Sequence, residues 1–262
     1  MDRVEVGGLT IAYARVGHGP PLVLLHGGLG DHRVWRPQLE ALADDFTLVA
    51  WDAPGCGGSS DPPDTFRLGD YADVLAGVVR ALDLGRPNVL GLSFGGGLAL
   101  ELARRHPELP RTLLLASAYA GWAGSLPEEE VQARVARALN DAKRPPAEWV
   151  GSYLPSLFTE AVTQEVVDET VAMMLDTRPA GMVPMLRGFA EADLRDVLPQ
   201  IRVPTLLLYG DADVRSPPAV AEALHDRIPT SELVVLPGVG HVSNLEAPEA
   251  FNRAVRDFLA AG

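Results

Sequence analysis

A serine flanked by glycines is the residue in this sequence best suited to covalent chemistry. The segment Gly91-Leu92-Ser93-Phe94-Gly95 follows an apolar run that predicts a buried strand, and it precedes small residues that predict a helix. A tight strand–turn–helix of this kind holds its central serine in a strained conformation and exposes the hydroxyl at a sheet edge. The pattern therefore predicts that Ser93 is a catalytic nucleophile.

A serine hydroxyl attacks a carbonyl carbon only when a base removes its proton. Of the six histidines, His241 is best placed for this role, because it follows the apolar run Glu232–Leu236 and precedes the last predicted helix. An acid must then orient the imidazole and stabilise its charged form. The loop after the apolar run Val203–Tyr209 offers both Asp211 and Asp213, and the residue types alone do not separate them.

Acyl transfer also needs backbone N–H groups that stabilise the negative oxygen of the tetrahedral intermediate. One donor is normally the residue after the nucleophile, which is Phe94 here. The second is expected from a loop after an earlier strand, and His26-Gly27-Gly28-Leu29-Gly30 occupies such a place. Glycines in this loop allow the backbone to turn its N–H groups inward.

Apolar runs alternate with helical patterns at both ends of the chain. The runs that predict strands are Pro21–Leu25, Phe46–Trp51, Pro87–Leu92, Arg111–Ser117, Val203–Tyr209 and Glu232–Leu236. The patterns that predict helices are His32–Asp45, Gly69–Leu84, the small-residue stretch from Ser93 to His106, Pro218–Ile228 and Pro248–Ala261. Buried strands separated by helices predict an α/β protein whose mostly parallel sheet is covered by helices on both faces.

The middle of the chain breaks this alternation. Residues 119–200 contain no strand-like run, and they show helical patterns near Pro127–Ala142, Pro146–Leu157 and Thr163–Leu175. We therefore predict a core formed by residues 1–118 and 201–262. Residues 119–200 are predicted to be a helical lid over the carboxyl edge of the sheet, with most of their large apolar side chains packing the lid onto the core.

The composition limits the kinds of partner and the cellular compartment that we expect for this protein. The chain has 262 residues and a net charge of −13, so it lacks the basic surface that nucleic acids and anionic membranes require. Its single cysteine, Cys56, excludes an intrachain disulfide and fits a reducing compartment. The N-terminus does not resemble a signal peptide, and no apolar run is long enough for a membrane span. We expect a cytoplasmic protein without nucleic-acid or membrane partners, and the sequence is compatible with a homodimer.

Metal and nucleotide chemistry have no support in the sequence patterns. There is no H-E-x-x-H, no cysteine cluster, no Walker loop, and no dinucleotide-binding glycine motif after the first strand. We therefore expect a reaction that uses neither a metal nor a cofactor.

Together these motifs resemble the α/β-hydrolase superfamily over nearly the whole chain. The order Ser, Asp, His agrees with that family. The resemblance implies an α/β-hydrolase fold and favours Asp213, three residues after Gly210, as the triad acid. It also implies that the N–H of Gly28, with Leu29 as the alternative, completes the oxyanion hole with Phe94. The matching segments are Leu24–Gly28, Asp52–Ser59, Gly91–Gly96, Pro204–Pro217 and Gly240-His241.

A serine at this turn argues against epoxide hydrolases and haloalkane dehalogenases, which use an aspartate there. The short chain and single helical lid resemble small bacterial esterases and enol-lactonases, which implies a serine hydrolase of small carboxylic esters or lactones acting through an acyl-enzyme. Two alternatives stay open: a carbon–carbon bond hydrolase of vinylogous diketones with the same triad, and a small-molecule receptor on the same fold. The residues expected to contact the substrate are Leu29, Tyr119, Trp122, Trp149, Tyr153 and Val242.

Overall fold

The computed structural model describes residues 1–261 and contains one eight-stranded sheet. Its strands are β1 (Asp2–Val6), β2 (Leu9–Val16), β3 (Pro21–Leu25), β4 (Thr47–Trp51), β5 (Asn88–Leu92), β6 (Thr112–Ala116), β7 (Thr205–Gly210) and β8 (Ser231–Leu236). Across the sheet they run in the order β1-β2-β4-β3-β5-β6-β7-β8. The pairs β1–β2 and β2–β4 are antiparallel, and all other neighbours are parallel. The prediction of a mostly parallel sheet is confirmed.

Helices connect the strands and cover both faces of the sheet. They are α1 (Arg36–Ala41), α2 (Leu68–Ala81), α3 (Phe94–Arg105), α4 (Glu128–Asp141), α5 (Leu154–Leu157), α6 (Gln164–Leu175), α7 (Pro179–Glu191), α8 (Pro218–His225), α9 (Ser243–Glu246) and α10 (Pro248–Ala261). The helix predicted over His32–Asp45 is shorter than expected, because it begins as a 3₁₀ turn and ends at Ala41. Within residues 1–261, no helix combines the length and apolar character needed to cross a membrane.

Side chains of the parallel strands alternate between two hydrophobic cores. In β5, Val89 packs into the core under α2 and α3, whereas Leu90 packs into the opposite core under α1 and α10. Trp35 and Phe251 are fully buried in this second core, with ring centroids 6.3 Å apart. Because both faces are covered, strands β3 to β7 are buried at nearly every position, and most of these residues are apolar.

The N-terminal hairpin of β1 and β2 was not among the predicted strands. Its turn consists of Gly7 and Gly8, which both have positive φ angles, 58° and 82°. Two such residues form the turn type that best matches the twist of an antiparallel pair. The hairpin adds the antiparallel edge to an otherwise parallel sheet.

Helices α4 to α7 all lie between β6 and β7, in the segment predicted as a lid. Helix α7 was missed by the sequence analysis, because two prolines interrupt its pattern. Pro179 is the first helical residue, where the missing N–H costs no hydrogen bond. Pro184 lies inside the helix and removes one hydrogen bond, but the helix persists with Met185 and Phe189 buried along it. The division of the chain into core and lid stays a prediction.

The helical segment contacts the core through two glycines whose backbones touch. A Cβ atom on Gly181, in the first turn of α7, would lie 2.0 Å from the carbonyl oxygen of Gly55. A Cβ atom on Gly55 would lie 2.2 Å from the Cα atom of Gly181. This close approach positions the start of α7 against the loop after β4.

We expect Gly181→Ala to lower the free energy of unfolding by about 1–3 kcal/mol, because the added methyl group must push two backbones apart. Gly151→Ala is the matched control in the same helical segment, since nothing lies within 4 Å of its Cβ position. The control should change stability by less than about 0.5 kcal/mol. Urea unfolding of both variants measures the difference, and equal effects would contradict the close-contact explanation.

Candidate active site

Ser93 lies on a strained turn between β5 and α3. Its φ is 54° and its ψ is −110°, a conformation that residues other than glycine rarely adopt. Glycines are required on both sides: a Cβ on Gly91 would lie 2.1 Å from the carbonyl oxygen of Gly95, and one on Gly95 would lie 2.1 Å from that of Leu25. The backbone N–H of Ser93 donates to the carbonyl oxygen of Ala116, 2.8 Å away, which ties the turn to β6.

His241 and Asp213 form a buried pair after β8 and β7. The Nδ1 atom of His241 lies 2.8 Å from Oδ2 of Asp213. The other carboxylate oxygen accepts hydrogen bonds of 2.8 Å from the N–H groups of Arg215 and Ser216. Burial raises the pKa of Asp213, but the imidazole and these two amides outweigh it and hold the pKa below its usual value. The carboxyl group is therefore ionised, and it favours the tautomer in which Nδ1 carries the proton.

The environment keeps the imidazole of His241 neutral. Burial lowers its pKa below 6.5, and this effect exceeds the opposing attraction of Asp213. The positive charges of Arg215 and Arg134 lower the pKa further. A neutral imidazole with its proton on Nδ1 leaves Nε2 able to accept a proton.

Asp211 points away from this pair. Its Oδ1 atom accepts a hydrogen bond of 2.6 Å from the N–H of Gly238, and its side chain is exposed. Asp211 therefore braces the loop that leads to His241. Of the two aspartates left open by the residue types, Asp213 is the one that contacts the histidine.

The glycine loop after β3 is held beside Ser93 by a buried histidine. Nδ1 of His26 donates to the carbonyl oxygen of Gly27 at 2.7 Å, and Nε2 accepts from the N–H of Ala53 at 3.0 Å. A Cβ atom on Gly27 would lie 3.6 Å from the Cβ of Ser93. The loop therefore runs alongside the serine, and His26 links it to the end of β4.

Three backbone amides at the site have no protein acceptor within residues 1–261. They are the N–H groups of Gly28, Leu29 and Phe94, which donate no hydrogen bond. Phe94 is the first residue of α3, so its N–H has no partner in the helix. Leu29 follows with φ at 63°. Gly28 and Phe94 both line the cavity that contains Ser93.

This cavity has a volume of about 290 Å³ and includes Ser93 and His241 in its wall. Four of the six side chains expected to contact substrate also line it: Leu29, Trp122, Tyr153 and Val242. Tyr119 and Trp149 do not, which corrects the sequence-based expectation. The hydroxyl of Tyr119 donates to the carbonyl oxygen of Arg215, and the indole of Trp149 donates to that of Arg144 at 3.3 Å.

The cavity wall contains further residues that were not predicted from the sequence to be part of the site. Their apolar members come mainly from α6 and α7, and their cationic members come from α4 and from loops. The apolar group includes Met173, Met174, Met182, Met185 and Phe189, and the cationic group is Arg134, Arg137, Arg178 and Arg215. The sequence predicts a packing role for most of the large apolar side chains of this segment. No spacing pattern pointed to the arginines.

One cluster of metal-binding residue types lies next to the glycine loop. Oxygen and nitrogen atoms of Asp31, His32 and Asp52 fall within 4.8 Å of one another. Oδ1 of Asp52 accepts from the N–H of His32 and lies 2.8 Å from its Nδ1, and Oδ2 accepts from the N–H of Gly58. Asp31 binds the guanidinium of Arg33. These atoms are engaged in joining loops to one another.

Comparisons with known proteins identify the family of the chain. A thermophilic esterase from Thermogutta terrifontis, whose structure has malate bound, is 31% identical with a TM-score of 0.92, covering 100% of this chain and 99% of that one. The enol-lactonase from Burkholderia xenovorans LB400 is 27% identical with a TM-score of 0.89, covering 99% and 100%. The 2-(acetamidomethylene)succinate hydrolase of Mesorhizobium japonicum is 28% identical over 267 residues, covering 99% of this chain and 95% of that protein. The model of the alpha/beta hydrolase family matches residues 22–254, and the chain therefore belongs to this family.

Proposed function

We propose that this protein is a serine hydrolase that cleaves small carboxylic esters or lactones through an acyl-enzyme. The observation that carries the proposal is the meeting, in one cavity wall, of Ser93 on its strained turn and His241 paired with a buried carboxylate. The unengaged amides of Gly28, its alternative Leu29, and Phe94 line the same cavity. Each is a component that acyl transfer to serine requires.

The reaction proceeds in two halves. The oxygen of Ser93 attacks the carbonyl carbon while Nε2 of His241 takes the hydroxyl proton, and Asp213 stabilises the resulting imidazolium. The N–H groups of Gly28 and Phe94 hold the negative oxygen of the tetrahedral intermediate. The alcohol leaves with the proton from His241, and water then cleaves the acyl-enzyme by the same path. In a lactone the alcohol stays attached to the acyl chain until this hydrolysis.

The relatives support an ester or lactone as the substrate class. The Thermogutta protein is named an esterase and the Burkholderia protein an enol-lactonase, and each matches nearly the whole of this chain. We propose that residues 119–200 form the lid, since α6 and α7 contribute much of the apolar cavity wall. The lid would then determine which acyl and alcohol groups fit.

Steady-state kinetics with p-nitrophenyl acetate, p-nitrophenyl butyrate and a set of small lactones tests the proposal. Sustained turnover of at least one ester or lactone, with release of the free acid, is the expected result. A single turnover that stops at one product per protein would indicate a receptor with a reactive serine. No reaction with any of them would contradict the proposed substrate class.

We expect Ser93→Ala to lower kcat by about 10⁴-fold or more, because no other side chain would form the acyl-enzyme. Circular dichroism should show that the variant is folded. A fluorophosphonate probe should label the unmodified protein at Ser93, and mass spectrometry of its peptides locates the label. Labelling of a different serine, or near-normal activity in the variant, would contradict the assignment.

The two aspartates of the β7 loop provide a matched pair of variants. Asp213→Asn should lower kcat by about 10⁴-fold, because asparagine favours the wrong tautomer of His241 and does not stabilise its charged form. Asp211→Asn should change kcat by less than about tenfold, since Asp211 only braces Gly238. Both variants are assayed with the same ester after circular dichroism confirms folding. The reverse pattern would show that Asp211 is the acid.

The value of kcat/KM should rise with pH in a single step whose midpoint lies below pH 6.5. His241 acts as the base only when neutral, and burial lowers its pKa below 6.5, so the neutral form persists to lower pH than for an exposed histidine. The profile of kcat/KM reports this group in the free enzyme. Circular dichroism over the same range separates protonation from unfolding. A midpoint clearly above 6.5 would show that the charge on Asp213 outweighs burial.

A further inference from the structure

The cavity wall has the opposite charge to the rest of the molecule. The chain carries a net charge of −13, yet among residues 1–261 the side chains that line the cavity include four arginines and no aspartate or glutamate. Such a local excess of positive charge inside a largely apolar cavity attracts an anion. The four arginines differ in whether a carboxylate of the protein already balances them.

Three of the four guanidinium groups have an acidic partner in the protein. In two of these pairs nitrogen and oxygen lie within hydrogen-bond distance, and in the third they are 3.9 Å apart. The pairs are Arg134 with Glu130 at 2.6 Å, Arg178 with Asp61 at 2.9 Å, and Arg137 with Asp141 at 3.9 Å. The third pair is the weakest, because Asp141 binds Arg144 and the hydroxyl of Tyr153 more closely.

Arg215 is the arginine without such a partner. In the part of the chain that the structure describes, its one side-chain hydrogen bond runs from Nη1 to the Oγ of Ser156 at 3.2 Å. Asp213 directs its oxygens to His241 and to backbone amides. A guanidinium has five N–H donors and keeps its charge in proteins. Arg215 therefore presents a positive charge and unused donors at the cavity wall.

The position of Arg215 relative to the catalytic pair is fixed by its own backbone. Its N–H donates to Oδ1 of Asp213 at 2.8 Å. Its carbonyl oxygen accepts from the hydroxyl of Tyr119 and from Nη2 of Arg134, the latter at 2.9 Å. The guanidinium carbon lies 5.8 Å from the ring centroid of Tyr153. The proposed triad acid and the guanidinium of Arg215 thus belong to one hydrogen-bonded loop.

We propose that Arg215 is a specificity residue that binds a carboxylate of the substrate, so that the preferred substrates are esters or lactones carrying a second, ionised carboxyl group. A carboxylate accepts two parallel hydrogen bonds from a guanidinium. The methionines and Phe189 in the same wall would contact the hydrocarbon between this carboxylate and the scissile carbonyl. The part of this inference that names the cleaved bond as an ester or lactone rests on the proposed function. The part that assigns carboxylate binding to Arg215 does not.

Pairs of substrates that differ only in charge test this. The monomethyl esters of succinic, glutaric and adipic acid are compared with methyl butanoate, pentanoate and hexanoate, which have a methyl group in place of the free carboxylate. We expect the protein to prefer the charged member of at least one pair. Arg215→Met should lower kcat/KM for that charged ester by about 10- to 100-fold, chiefly through KM. The ratio of kcat/KM for the charged ester to that for the neutral ester should fall by about 10-fold or more.

Two further variants separate a direct contact from a general loss of charge. Arg137→Gln removes one positive charge from the same wall, at a guanidinium that donates to the carbonyl and hydroxyl oxygens of Ser152, and should alter the preference by less than about threefold. Arg215→Lys keeps the charge but not the paired donors, so it should keep part of the preference. Equal losses for charged and neutral esters in Arg215→Met would contradict the proposal. If that variant fails to fold, an unchanged preference in Arg215→Lys would overturn it.

Binding without turnover distinguishes failure of this inference from failure of the proposed function. Glutarate should raise the melting temperature of the Ser93→Ala variant, and Arg215→Met added to that variant should abolish the shift. If no ester is cleaved but this pattern holds, the proposed function is wrong and the anion site stands. The opposite result is that esters are cleaved, but none of glutarate, succinate and adipate shifts the melting temperature in a way that depends on Arg215. In that case the anion site is wrong.

Discussion

The turn at Ser93 is the constraint on which the rest of the site depends. A non-glycine residue in this backbone conformation costs roughly 1–3 kcal/mol, and the surrounding structure must hold it there. Strand β5 lies in the middle of the sheet with every residue buried. On the far side of the turn, α3 approaches so closely that Cβ atoms on Gly96 and Gly97 would lie 2.4 Å from the side chains of Ala118 and Phe189. The strain is maintained by packing on both sides.

Asp213 and His241 are brought together by strand pairing that continues beyond the sheet. Strands β7 and β8 are parallel neighbours, so their following loops leave the same edge. Outside the strands, the N–H of Ala212 still donates to the carbonyl oxygen of Val239 at 3.1 Å, and Asp211 binds Gly238. These contacts set the distance between Asp213 and His241. They also give Asp211 a structural role, whereas the residue types alone left both aspartates open as partners of the histidine.

The sequence predicts the features of the fold and the site that depend on residues close together in the chain. It does not predict those that depend on contacts between distant residues. The buried strands and the turn at Ser93 were predicted because continuous apolar runs and paired glycines reflect constraints within a few residues. Helix α7 was missed, since its stability comes from burial of one face that only the folded chain supplies. The same applies to Tyr119, whose hydroxyl is directed away from the cavity by a carbonyl group 96 residues later in the chain.

The four arginines of the cavity wall come from distant parts of the sequence, and two of them also affect His241. Arg215 and Arg134 lower the pKa of His241, so their charge makes its imidazole less basic. Charges separated by little water interact strongly, whereas the acidic outer surface is screened within about 8 Å at physiological salt. A carboxylate held at Arg215 would offset this nearby charge and raise the basicity of His241 while the substrate is bound. Recognition of the anion and activation of Ser93 would then be coupled through a single loop of the chain.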